Sequence, residues 1–140
     1  MAKSLGIVVI EDPASGAGRL KNLLSAGIPV ALRSRGDINS YRNIMLAATA
    51  ITREEAVDAY TRGSAFAEFS ENEKGTVAAG KVADLAVLSQ DIFTVRAGLL
   101  PETTSLLTIL DGKIVYDAGV LPVPGRRPRS KLPLEPLPTP

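Results

Sequence analysis

Gly75-Thr-Val-Ala-Ala-Gly-Lys-Val-Ala-Asp-Leu-Ala-Val-Leu-Ser89 is the stretch on which the fold turns. Gly75 and Gly80 bracket a short strand and turn, and Ala83 to Leu88 is an apolar run of strand length. Downstream, Thr104 to Leu110 and Lys113 to Tyr116 read as two further strands. Asp111-Gly112 joins them, a dipeptide that favours the tight turn of a hairpin. Upstream, Thr52-Arg-Glu-Glu55 is a capping box that starts a helix running to Phe69. Ala56, Ala59, Tyr60, Gly63 and Ala67 share one face of that helix, small enough to lie close against a sheet. Arg62 and Glu68 are expected to face outward as solvated charges.

The first half of the chain has a different rhythm. Leu5 to Ile10 is a continuous β-branched run, the pattern of a strand buried on both faces. Ala14 to Gly18 reads as a small-residue loop and Arg19 to Ala26 as a short helix stopped by Gly27. Ile28 to Leu32 is a second apolar strand, with Pro29 tolerated near its start. Strand, helix and strand with short joins predict a βαβ unit with a parallel pair. Asn39 or Ser40 then caps a helix carrying Ile44, Met45 and Ala48.

Composition excludes much. A chain of 140 residues fits one modest domain. It has no histidine, hence neither the commonest general base nor the commonest metal ligand, and no cysteine, hence no disulfide or thiolate chemistry. The missing cysteine suits a reducing compartment, and a cytoplasmic location is the expectation. Up to residue 119 the chain is mildly acidic, so no nucleic-acid footprint is expected. No apolar run approaches the roughly 20 residues that span a bilayer, so no membrane association is expected. Glu11-Asp12 closes the first apolar run, which favours a strand over a signal segment. Seven of the ten prolines fall from Pro122 onward, among Arg126, Arg127, Arg129 and Lys131. That tail is expected to be extended or disordered.

The order of helix, Gly75–Ser89 segment and hairpin resembles the closing part of the metal-dependent amidohydrolases, in the branch of formamide-deformylase-like and related exoenzyme-type members. The residues that carry the resemblance are Thr52, Glu55, Ala56, Tyr60, Thr61 and Ala65 in the helix. Gly75, Gly80, Lys81, Ala83, Asp84, Leu85, Val87 and Leu88 follow, and Gly112, Val115 and Tyr116 complete it in the hairpin. Ala26 to Leu32 is similar to the strand that enters the eighth barrel position. The resemblance implies an α/β fold. A partial (β/α) barrel end, a βαβ unit plus two helices, would occupy residues 1–70. A small antiparallel β-sandwich segment would follow over 71–120, and the basic, proline-rich tail over 121–140.

The same resemblance implies metal-dependent hydrolysis of C–N bonds, with zinc or a similar divalent ion in the family. The family's histidine ligands sit on earlier barrel strands, which this sequence does not contain. Its aspartate after the eighth strand falls at Arg35, within Arg33-Ser34-Arg35-Gly36-Asp37. Arginine neither binds a metal nor takes a proton. The expectation is therefore a truncated chain, inactive alone, with no cofactor of its own. Asp37 is the weak candidate for a displaced catalytic carboxylate. The alternative is a non-catalytic binding module in which Arg33 and Arg35 hold an anion. Two barrel strands cannot close on themselves, so self-association or a partner chain covering them is expected.

Other candidates have plainer readings beside the chemical ones. Glu11-Asp12 could hold a divalent ion at a strand's carboxyl end, but a solvated loop is the simpler expectation. Asp84 and Lys81 read as structural, the aspartate bonding turn amides near Lys81. Ala14 to Gly18 lacks the Gly-Lys-Ser/Thr ending of a phosphate loop. Pro133 and Pro136 have the spacing of a polyproline ligand without its flanking basic residue.

Overall fold

The computed structural model describes residues 6–35 and 38–122. Asp37 and the proline-rich tail beyond Pro122 therefore lie outside the described residues. Strands β1 (Val9–Glu11) and β2 (Val30–Leu32) pair in parallel, Val9 beside Val30 and Glu11 beside Leu32. Helix α1 (Pro13–Ser25) makes the crossover, which is the βαβ unit the sequence predicts.

Helix α1 starts earlier than expected, and the supposed loop at Ala14 to Gly18 is its opening. Asp12 caps it, Oδ1 accepting from the Ala14 amide at 3.0 Å, and Pro13 presets the first helical residue. Those two signals outweigh the cost of Gly16 and Gly18 in a helix, about 1 kcal/mol each. The other end follows the expected rule. Gly27 takes φ 65°, and the amides of Gly27 and Ile28 bond back to Leu24 and Leu23 at 2.8 and 3.0 Å.

Helix α2 (Ser40–Ala47) is capped by Asn39, whose side chain accepts from the Arg42 amide at 2.8 Å. Thr52 and Glu55 form the capping box of α3 (Arg53–Tyr60). The single helix expected to run to Phe69 is broken at Thr61, and α4 (Arg62–Ala67) continues from there. Thr61 has φ −107° and ψ −77°, and its hydroxyl donates to the Val57 carbonyl at 2.8 Å. That side-chain bond to the preceding turn competes with regular helix. Gly75 lies against the break, where a side chain would meet Ala65 and the Arg62 backbone.

The core gathers Leu20, Val30, Leu32, Ile44, Ala47, Ala56 and Ala59 from α1, β2, α2 and α3. Strand β2 is wholly buried, but β1 is not buried on both faces as expected. Ile10 is 53% exposed, because it points away from the face on which α1 holds Glu11, and Ile7 just before the strand is 45% exposed.

A three-stranded antiparallel sheet follows, β3 (Leu85–Leu88), β4 (Ser105–Leu110) and β5 (Lys113–Asp117), in that order. Asp111 and Gly112 both take positive φ, 49° and 71°, as a two-residue hairpin requires. Strand β5 carries a bulge: Tyr116 faces Thr108 and Ile114 faces Ile109, leaving Val115 as the extra residue. One expectation fails nearby. The segment between Gly75 and Gly80 forms bends and a turn, with no strand, and Lys81 just after it donates from Nζ to the Glu71 carbonyl at 2.6 Å. A 3-10 helix at Ala97–Glu102, unread in the sequence, seats the fully buried Leu100 and bonds Asn39 through the Pro101 carbonyl. Among the described residues no helix is long and apolar enough to cross a membrane.

Candidate functional site at the carboxyl end of the parallel pair

Because β1 and β2 run in parallel, their carboxyl ends bring Glu11-Asp12 and Arg33-Ser34-Arg35 together. The Arg33 amide donates to the Glu11 carbonyl at 3.0 Å and extends the pairing by one bond. In α/β folds this end of the strands is where sites form.

Glu11 and Asp12 are not the solvated loop expected; they are 8% and 5% exposed. Arg19 reaches back from α1 and holds Glu11 with two bonds, Nε to Oε2 at 3.0 Å and Nη2 to Oε1 at 2.8 Å. The Asp12 amide adds a third at 3.2 Å. The Arg19 hydrogen bonds hold the Glu11 carboxyl below the ordinary value of 4.5, against the opposing effect of burial, and Arg33 adds a weaker attraction. Gly16 makes room for this arrangement, since a Cβ there would collide with the Glu11 carboxylate. Asp12 spends one oxygen on the helix cap and has the other 3.8 Å from Arg35 Nε.

Arg33 and Arg35 are both exposed, Arg35 with 71% of its side chain accessible. Asn43, buried on α2, donates to Ser34 Oγ and to the Arg33 carbonyl, and so fixes the strand end between the two arginines. Sequence reasoning missed Arg19, Gly16 and Asn43. Starting α1 at Pro13 would have found the first two, because it places Gly16 and Arg19 on one helical face. Asp84 and Lys81 lie elsewhere. Asp84 accepts from the Asp111 amide at 2.9 Å, bracing the β4–β5 turn and not the turn near Lys81.

A divalent metal does not fit here. Both oxygens of Glu11 are taken by a guanidinium, Asp12 is divided between a helix cap and Arg35, and the sequence offers no histidine. No group of three or more acidic, histidine or cysteine side chains is placed to hold an ion among the described residues. Arg19, Arg33 and Arg35 would also repel a cation.

Comparison with known proteins agrees with the fold. Residues 5–116 match the family model described as the amidohydrolase family. The chain is 31% identical over 114 residues to an N-substituted formamide deformylase of Arthrobacter pascens, covering 70% of this chain and 21% of that protein. It is 38% identical over 63 residues to the putative amidohydrolase YtcJ of Bacillus subtilis (strain 168), covering 45% of this chain and 12% of that one. The chain thus spans about a fifth or less of the curated relatives it matches. An amidohydrolase of Thermotoga maritima MSB8 superposes with a TM-score of 0.62 at 21% identity, over 72% of this chain and 26% of that one. With a family match across most of its length and the fold to accompany it, the chain belongs to the amidohydrolase family.

Proposed function

We propose that these 140 residues act as a structural portion of the amidohydrolase fold and carry out no hydrolysis unaided. The observation that carries this reading is the Glu11–Arg19 pair, which commits the best-placed carboxylate at the strand ends to a bond with α1. Arg35, where the family resemblance calls for an aspartate, supports it. Hydrolysis of a C–N bond, as in the formamide deformylase relative, would need metal-binding residues from outside this sequence. A partner that covers the open edge of β1 and its exposed Ile10 could supply them. A reducing, cytoplasmic setting accords with the lack of cysteine. The test is to purify the chain, measure its zinc content and assay N-substituted formamides. The expected result is no stoichiometric zinc, no turnover and a thermal midpoint unmoved by a chelator. Tightly bound zinc with turnover would overturn the reading.

A second reading has its own observation: Arg33 and Arg35 present two exposed guanidinium groups at one strand end, suited to an anion. A thermal-shift series with phosphate, sulfate and carboxylates tests it. Stabilisation that disappears in Arg33→Ala supports it, and an equal response in wild type and variant refutes it.

A further inference from the structure

A groove of about 450 Å³ runs between α3 and the turn segment leading into β3. Its floor is apolar: Val57 is half-buried, while Val77, Val82 and Phe93 are 87%, 39% and 47% exposed. Its rim is acidic, formed by Glu54, Asp58 and Asp84, and among the described residues no lysine or arginine lines it. Arg62 pairs with Asp58 at 2.9 Å from outside the lining, and Lys74 is held by Glu68 at 2.9 Å. Glu54 and Asp84 are thus the charges left for an occupant.

We propose that the basic, proline-rich segment 123–140 of this same chain docks in that groove. Its composition matches on both counts. Arg126, Arg127, Arg129 and Lys131 stand against one carboxylate, Glu135, and Leu132, Leu134 and Leu137 alternate with prolines. Proline-rich backbone loses little freedom on binding, and such segments favour apolar, aromatic-lined grooves. The tether is long enough. Strand β5 starts at the hairpin tip that touches Asp84 and ends at Asp117, roughly 17 Å away for five residues. The Gly119 and Val120 amides turn back onto Asp117 Oδ1, so the reach is counted from Pro122, and Lys131, nine residues on, lies within up to about 30 Å of it. Docking covers Val77 and Phe93, which the rest of the described chain leaves open to water.

The chain has no cysteine, so Ser130→Cys gives one site for a nitroxide on the full-length protein. The expected result is selective loss of amide signal intensity at Val77, Val82 and Phe93. Intensity should return at high ionic strength, in Val77→Lys, and in Arg126→Ser/Arg127→Ser/Arg129→Ser. Val77 is exposed, so its substitution leaves the fold intact and keeps the test decisive. Uniform or absent broadening overturns the proposal. So does broadening that appears only between a spin-labelled chain and a separate isotope-labelled chain, which assigns the groove to a second copy.

Discussion

Arg19 and Glu11 join the first helix to the first strand through two parallel hydrogen bonds, at 3.0 and 2.8 Å, with the carboxylate buried and the guanidinium open to water. Such paired geometry is the strong form of a charge-assisted bond, and it contributes to the acid response of the fold. The folded Glu11 carboxyl lies below its ordinary value of 4.5. Its stabilisation is therefore complete above that value and lost as the pH falls through the lowered folded value. The thermal midpoint of the wild type should drop across that acidic window. Glu11→Gln should melt several degrees lower at neutral pH and converge on the wild type in acid. Parallel melting curves across the whole pH range would exclude the pair as the cause.

Gly16 and Gly18 occupy the same helix two residues apart, yet alanine should act oppositely at the two. A Cβ at Gly18 meets nothing within 4 Å, so Gly18→Ala should stabilise by about 0.5–1 kcal/mol through helix propensity. A Cβ at Gly16 collides with the Glu11 carboxylate and must dislodge it from Arg19, so Gly16→Ala should destabilise. Urea titrations of the two variants check the signs.

Gly63 backs directly onto the Val30 carbonyl oxygen, leaving no room for a methyl group. Here the obstacle is backbone of a buried strand, which cannot rotate away. Gly63→Ala should cost roughly 1–3 kcal/mol, the range for an overpacked contact. An unchanged denaturation midpoint would show that α4 can lift off β2 without penalty.

Phe69 sits at φ 60° just past α4, 93% exposed, in a place where helices commonly end on glycine. The amides of Phe69 and Ser70 bond back to Phe66 and Ala65 at 3.1 and 2.9 Å, completing the terminating motif. With so little of the ring buried, Phe69→Gly should stabilise the fold by about 1 kcal/mol by removing Cβ strain. Calorimetry of the variant gives the sign.

The elements written in short-range chemistry were legible in advance. Thr52 and Glu55, Gly27, and Asp111-Gly112 each act on neighbours within a few residues, and each ends or begins an element where its chemistry dictates. Most of the failures had longer-range causes. At the α3–α4 break the Thr61 hydroxyl bond is local, but the close approach of Gly75 comes from further along the chain. The helical start at Pro13 is encoded locally in Asp12-Pro13, against the loop tendency of Gly16 and Gly18. Burial of Glu11 was unreadable without that start, since its partner is eight residues on. At the strand ends, the two arginines were visible as sequence. Their exposure and the hold of Asn43 between them needed the tertiary fold.

The bulge at Val115 bears on aggregation. Ile114-Val115-Tyr116 is an apolar, β-branched and aromatic run on an edge strand, the composition that seeds cross-β stacking. The extra residue puts successive amides and carbonyls out of step with any flat incoming strand, and Lys113 and Asp117 place a charge at each end. A single irregular residue thus works against pairing of this edge with another copy of itself.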